Sequence, residues 1–224
     1  MPLIMFDMDG TLIDTYGLIA EHMASAFALA GLAAPAQADV RRIIGLSLPV
    51  AIGQLAATED AVLIDGLVTS YKQNYRNALA RETGREEFYP GAREAVERLH
   101  GAAGNLLGIA TGKGLTGVNR ILAQHAIADR FVTLQTPDHN PSKPHPGMLL
   151  RAMSETGAAP HEVVMVGDTS FDMELARAAG AWAIGVGWGY HERQDLIGAG
   201  AHIIIDSFAE IDDSIAELLG RHDA

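Results

Sequence analysis

The stretch LIMFDMDGTLID, residues 3–14, decides how the rest of the chain reads. Four apolar residues run into Asp7 and Asp9, at spacing two, and then into Gly10-Thr11. A short unbroken apolar run predicts a parallel strand covered on both faces, here residues 3–8. At a rise of ~3.3 Å per residue, period two sets Asp7 and Asp9 on one side, about 6–7 Å apart. Two carboxylates that close repel each other, so a cation is expected to offset them. The pair also suits two different tasks on one substrate, with one carboxylate attacking while the other handles the leaving group's proton.

Outward from this strand the same signal recurs at 106–111, 131–135, 163–167, 182–186 and 202–206. Helical apolar stripes lie between these runs, over 114–127, 146–156, 172–179 and 208–219. Strand alternating with helix predicts an α/β fold with a doubly wound parallel sheet. One region departs from the pattern. From Tyr16 to Phe88 only helical patterns occur, too long for a crossover loop of the usual ~2–6 residues. The reading is a small inserted α-helical domain over 16–88, with 1–15 and 89–224 forming the α/β core. Its hinges are expected at Asp14-Thr15 and Tyr89-Pro90-Gly91, where the chain crosses out and back.

Composition narrows the function. The chain has 224 residues, 48% of them hydrophobic, and a formal net charge of -12. That charge disfavours nucleic acid and anionic membrane surfaces as partners, and no Lys/Arg run counters it. There is no cysteine, which excludes disulfides, thiolate zinc sites and cysteine nucleophiles. No apolar run reaches the ~20 residues of a membrane helix, and the first residues lack the basic start of a signal peptide. The expected location is the cytoplasm. The oligomeric state is left open.

Ligands of open α/β sheets sit at the carboxyl ends of the strands. That rule gathers Asp7 and Asp9, then Thr111, Gly112 and Lys113, then Lys143 from NPSKPHPG, then Asp168 with Asp172 four residues on. Asp7 and Asp168 offer the hard oxygens that Mg²⁺ prefers, and Lys143 adds a further positive charge.

In this combination the chain resembles the haloacid dehalogenase-like superfamily of phosphotransferases, whose four motifs occur in order. FDMDGT corresponds to the first, IAT ending at Thr111 to the second, Lys143 to the third and VGDTSFDM to the fourth. The resemblance implies a Rossmann-like core with a helical cap after the first motif. It also implies an Mg²⁺-dependent phosphatase acting on small-molecule phosphate monoesters through an aspartyl-phosphate. Asp7 would be the nucleophile and Asp9 the general acid/base. Thr111 would bind the phosphoryl group, and Lys143 would be the motif lysine. Asp7, Asp168 and the Asp9 backbone carbonyl would hold the metal, with Asp172 and Gly112 in support. Asp9 argues against a dehalogenase or a phosphonatase, and Gly167-Asp168 differs from the Glu-Asp of the hexose-phosphate mutase. KPHPGMLL and the fourth motif look most like phosphoglycolate phosphatases, which makes phosphoglycolate the leading substrate. Pyrophosphate and sugar phosphates stay open, as does a phosphate- or metal-sensing module without turnover. Within the insert, RRIIGLSL suggests a loop at Gly45 facing the core. Arg42 and Lys72 are the candidates for binding a substrate carboxylate.

Overall fold

The computed structural model describes residues 1–80 and 86–221. Residues 81–85 of the expected insert and 222–224 of the expected core lie outside the described residues.

Six parallel strands form the central sheet: β1 (Leu3–Phe6), β4 (Leu106–Ala110), β5 (Thr133–Gln135), β6 (Val163–Gly167), β7 (Trp182–Val186) and β8 (Ile203–Ile205). Their spatial order is β5-β4-β1-β6-β7-β8. β1 is therefore central, hydrogen-bonded to β4 on one side and β6 on the other. Leu3, Ile4, Met5 and Phe6 are all fully buried, as the unbroken apolar run predicts for a strand covered on both faces. One face packs Ile4, Phe6, Ile109 and Val166 against α5 (Ala92–Gly101), α6 (Leu115–Gln124) and α10 (Ile211–Gly220). The other packs Leu3, Met5 and Met165 against α7 (Gly147–Thr156) and α8 (Ser170–Ala178).

The chain order reverses at β1. β4 and β5 build outward on one side and β6 to β8 on the other, so the carboxyl end of β1 opens at the topological switch point. β1 is shorter than residues 3–8. It ends at Phe6, after which Asp7 N–H donates to the Val166 carbonyl at 2.9 Å and the chain turns. The Met8 carbonyl then accepts from Leu12 and Ile13, at 3.0 Å each. Asp7 and Asp9 are thus placed by a turn, not by a strand's pleat.

Four helices follow: α1 (Tyr16–Leu29), α2 (Gln37–Ile43), α3 (Leu48–Leu55) and α4 (Ala61–Leu79). They bury an apolar cluster of their own, including Leu18, Met23, Phe27, Ile52 and Leu67, to which the sheet-side residue Tyr190 also belongs. The segment is not wholly helical. Its last two residues form β3 (Glu87–Phe88), antiparallel to β2 (Ile13–Asp14). The outgoing and returning chains are therefore tied as a short two-stranded ribbon next to the expected hinges.

Candidate active site

Each turn at the carboxyl edge of the sheet delivers one or two polar side chains to the switch point. Asp7 and Asp9 come from the turn after β1, Thr111 from the residue after β4, Lys143 from the loop before α7, and Asp168 and Asp172 from the β6–α8 turn. Asp7, Thr111 and Lys143 are 1% exposed, Asp168 and Asp172 fully buried, and Asp9 8% exposed.

Close backbone approach makes this convergence possible. Gly10 has φ +89, and a Cβ there would lie 2.2 Å from Asp168 Oδ2. A Cβ on Gly167 would meet the Asp172 carboxylate carbon at 2.3 Å. Glycine is the residue that serves a left-handed turn and a side chain packed on backbone. Thr169 caps α8, accepting from Asp172 N–H, while Asp172 Oδ2 accepts from Thr169 Oγ1 at 2.8 Å. This reciprocal cap orients Asp172 toward Lys143.

Lys143 Nζ stands 2.5 Å from Asp172 Oδ1 and 3.2 Å from Asp7 Oδ1. Asp7 Oδ1 also accepts from Met8 N–H at 2.7 Å, whereas Asp7 Oδ2 is buried without a hydrogen-bond partner. Asp168 accepts from Thr11 Oγ1 and from Tyr190 N–H, both at 2.9 Å. Asp9 accepts from Thr15 Oγ1 at 2.7 Å and pairs with Lys113 Nζ at 3.2 Å.

The electrostatics are unbalanced. Three carboxylates, Asp7, Asp168 and Asp172, each offer an oxygen within 4.8 Å of the others. Lys143 is the ammonium among them. Burial, only partly offset by Lys143 and reinforced by Asp172 and Asp9, pushes Asp7 up to about 7. Burial and the neighbouring Asp7 and Asp172 push Asp168 well above the usual carboxylate range. For Lys143, burial favours the neutral amine, but Asp172 and Asp7 outweigh it and hold the group charged. Three clustered carboxylates sharing one ammonium, two of them driven toward the protonated form, and a bare Asp7 oxygen form a donor set suited to a divalent cation with hard oxygen ligands.

The structure therefore brings together Asp7, Asp168, Asp172 and Lys143, with Asp9 two residues from Asp7 and Thr111 at the end of the adjacent strand β4. Gly112 and Gly45 meet at the contact between core and insert. A Cβ on Gly112 would lie 2.6 Å from the Gly45 carbonyl oxygen and 2.4 Å from that of Leu46. Gly45 itself has φ +102 and faces Thr169. The loop expected to face the core does so. Arg42 and Lys72 are not brought to the carboxylates. The Arg42 side chain is 78% exposed and reaches Asp39 at 3.8 Å, lining a groove with Phe171 and His191, and Lys72 is exposed on α4. Its neighbour Arg41 instead clasps the core, donating to the Tyr190 and Gly189 carbonyls at 2.6 and 2.9 Å.

Four participants were given no role from the sequence. Thr11 closes the first motif and Thr15 follows it, and their hydroxyls hold Asp168 and Asp9. Tyr190 closes the site from the loop after β7. Lys113 follows Thr111 by two residues, and the carboxyl-edge rule placed it here, but its pairing with Asp9 was not foreseen.

Comparisons with known proteins agree on a family. A model of haloacid dehalogenase-like hydrolases matches residues 4–186. The chain is 35% identical over 214 residues to "Probable phosphatase IndB" of Dickeya dadantii (strain 3937), covering 94% of this chain and 91% of that protein. It is 30% identical over 219 residues to the phosphoglycolate phosphatase of Vibrio vulnificus (strain CMCP6), covering 95% of each. Among solved structures, a hydrolase from Pseudomonas syringae superposes with a TM-score of 0.85 at 24% identity, over 97% of this chain and 99% of that one.

Proposed function

The chain belongs to the haloacid dehalogenase-like hydrolase family, and we infer that its site hydrolyses small-molecule phosphate monoesters with Asp7 as nucleophile. The observation that carries this is the environment of Asp7. One of its oxygens is bare, the other is held by Lys143 and an N–H, and a second carboxylate, Asp9, stands two residues on. Phosphatase names among relatives up to 35% identical support the same reaction class.

In this reading a carboxylate oxygen of Asp7 attacks phosphorus, forming an aspartyl-phosphate as the bond to the leaving alcohol breaks. Asp9 gives its proton to that departing oxygen, then takes one from the water that attacks the aspartyl-phosphate. Lys143 holds Asp7 in place and adds positive charge where the transition state gathers negative charge. The Thr111 hydroxyl donates to a phosphoryl oxygen. Asp172 acts on Lys143, as the 2.5 Å contact indicates. Asp7, Asp168 and the Asp9 backbone carbonyl are the proposed holders of Mg²⁺, which when bound supplies the charge that these carboxylates lack.

The four helices of the insert, over 16–88, are assigned the role of a cap that covers the leaving group and excludes water. Arg41 and the Gly45–Gly112 contact support a docked arrangement. Phosphoglycolate is the proposed substrate, on the strength of relatives bearing that name over 95% of the chain. A cytoplasmic location fits the absence of cysteine, and no helix among the described residues is long and apolar enough to cross a membrane.

The test is release of inorganic phosphate from 2-phosphoglycolate and from para-nitrophenyl phosphate, with Mg²⁺ and with excess chelator. Turnover of either ester that requires Mg²⁺ is the expected result. Full activity in chelator would remove the metal, and inactivity on a broad panel of phosphate esters would favour a sensing role.

A further inference from the structure

Lys113 stands beside the carboxylate that would handle the leaving group's proton. Its Nζ lies 3.2 Å from Asp9 Oδ2, with the two side chains 13% and 11% exposed. The same ammonium lies 5.1 Å from the ring centroid of Tyr75, which comes from α4 of the insert. The negative face of an aromatic ring holds a cation in this geometry.

Local sequence builds this placement. A Cβ on Gly117 would come within 3.1 Å of Lys113 Cγ and Cδ. With no side chain at that position, the lysine stem can lie against the first turns of α6. The Tyr75 ring is fixed in turn, because its hydroxyl donates to Glu86 Oε1 at 2.8 Å. Glu86 is itself engaged by Arg120, which reaches both of its oxygens. Glu86 thus has hydrogen-bond partners of its own, and the Lys113 ammonium acts on it only as a nearby charge. It has three N–H donors, more than one Asp9 oxygen uses.

The geometry points to Lys113, on its Tyr75 platform, as the anchor for a second anionic group of the substrate: a carboxylate on the leaving group, close to the ester oxygen. This inference rests on the phosphatase reading above. If Asp9 passes a proton to the ester oxygen, that oxygen comes within hydrogen-bond distance of Asp9. A cation paired with Asp9 then borders the leaving group, not the transferring phosphoryl, which belongs to Asp7, Lys143 and Thr111. A carboxylate one carbon from the ester oxygen lies within reach of such an ammonium. In a chain of net charge -12, a multiply charged ester needs a cation at both ends. Arg42 and Lys72 stand in solvent, whereas Lys113 is at ion-pair distance from Asp9.

The test is the ratio of kcat/KM on 2-phosphoglycolate to kcat/KM on ethyl phosphate, which has the same two-carbon chain in its leaving group without the carboxylate oxygens. Using the ratio cancels any effect that Lys113 has on both esters through Asp9. Lys113→Met keeps the stem and removes the charge. The expected result is a fall in the ratio of about 10- to 100-fold, the range for a lost charge-assisted hydrogen bond, chiefly through a higher KM for phosphoglycolate. Lys113→Arg should restore part of it. A ratio within about threefold of wild type overturns the anchor, even if both rates fall. If wild type hydrolyses neither ester, the phosphatase reading fails separately. The anchor is then judged by calorimetric binding of 2-phosphoglycolate, which Lys113→Met should weaken at least tenfold. Equal binding by the two proteins would overturn it.

Discussion

Asp7, after β1, and Glu86, before β3, are both buried to 1% exposure, and their surroundings differ in how fully their charge is answered. Glu86 is paired directly with a guanidinium. Arg120 donates to both carboxylate oxygens, Tyr75 adds a hydroxyl, and the Glu86 carbonyl accepts from His125. Burial alone would raise the Glu86 pKa, but Arg120, Lys113 and Tyr75 outweigh it and hold the group below its usual range. Asp7 shares one ammonium with Asp172, has Asp168 as a further acidic neighbour, keeps one oxygen bare, and is pushed up to about 7. The two sites teach one distinction. A buried carboxylate whose partners are complete serves the fold, and one left short of positive charge is reserved for something that arrives later.

The largest effect expected from this contrast is on turnover. Asp7→Asn keeps the shape of the side chain but cannot attack phosphorus. Phosphate release should fall by about 10³-fold or more. The metal-free variant should melt at or above the wild-type temperature, because one crowded carboxylate is gone. Near-wild-type hydrolysis by this variant would end the nucleophile assignment.

Glu86→Gln should do the reverse. It removes the carboxylate that Arg120 holds among the described residues and leaves Tyr75 and Arg120 facing an amide. Breaking a buried pair costs about 3–5 kcal/mol. Arg120 is a third exposed, so water screens part of the loss, and about 2–3 kcal/mol is expected. In a chain of this size that lowers the melting temperature by about 5–10 °C. A variant that melts with wild type would mean that the completed pair contributes nothing to the fold.

The third prediction uses pH to read both sites in one metal-free sample. Asp7 binds its proton up to about pH 7 in the folded chain, against an ordinary value of 3.8. The folded state therefore holds more protons than the unfolded one in that interval, and stability should rise as pH falls from 8 toward 5. Asp168 acts in the same direction. Glu86 has the opposite sign. Its contribution is present above its ordinary 4.5 and is lost as pH falls through the lower folded value. Melting temperature in chelator should thus climb as pH falls from 8 to about 5 and turn over only below that, near the ordinary Glu value of 4.5, and saturating Mg²⁺ should flatten the alkaline side. A melting temperature that climbs steadily from pH 5 to 8 in chelator would contradict the charge deficit at Asp7.

Much of this was legible from residue order. Most of the strands could be read because they are short apolar runs, as in VVMVG and WAIGV, and burial on both faces leaves that mark, while β5, Thr-Leu-Gln, shows it only through the flanking Phe131 and Val132. The acids and Lys143 could be read because the carboxyl-edge rule gathers them whatever their separation along the chain. The end of β1 was not legible. A strand and the first residue of a turn look alike until Asp7 N–H is seen to complete the ladder to Val166. Nor was the β2–β3 ribbon, since two residues show no period. The partners of Asp9 and Glu86 come from 104 residues and 34 residues away, Lys113 to Asp9 and Arg120 to Glu86, and such pairings follow from helix placement, which no local pattern records.

The smallest effect is expected at Arg42, and it sharpens the contrast between cations that answer buried acids and cations that do not. Its guanidinium is 78% exposed and its partner Asp39 is 57% exposed, at 3.8 Å. Such a pair contributes about 0–1 kcal/mol, because water screens it and two long side chains must be ordered to form it. Its backbone carbonyl, which accepts from His191 at 3.2 Å, survives any side-chain change. Arg42→Ala should therefore move the melting temperature by no more than about 2 °C. It should also leave the ratio of phosphoglycolate to ethyl phosphate hydrolysis within about twofold, where Lys113→Met lowers it. A tenfold fall in that ratio for Arg42→Ala would require α2 to swing until the Arg42 side chain leaves solvent and enters the site. The leaving-group carboxylate would then be read by a closing insert and not by the lysine already in place beneath it.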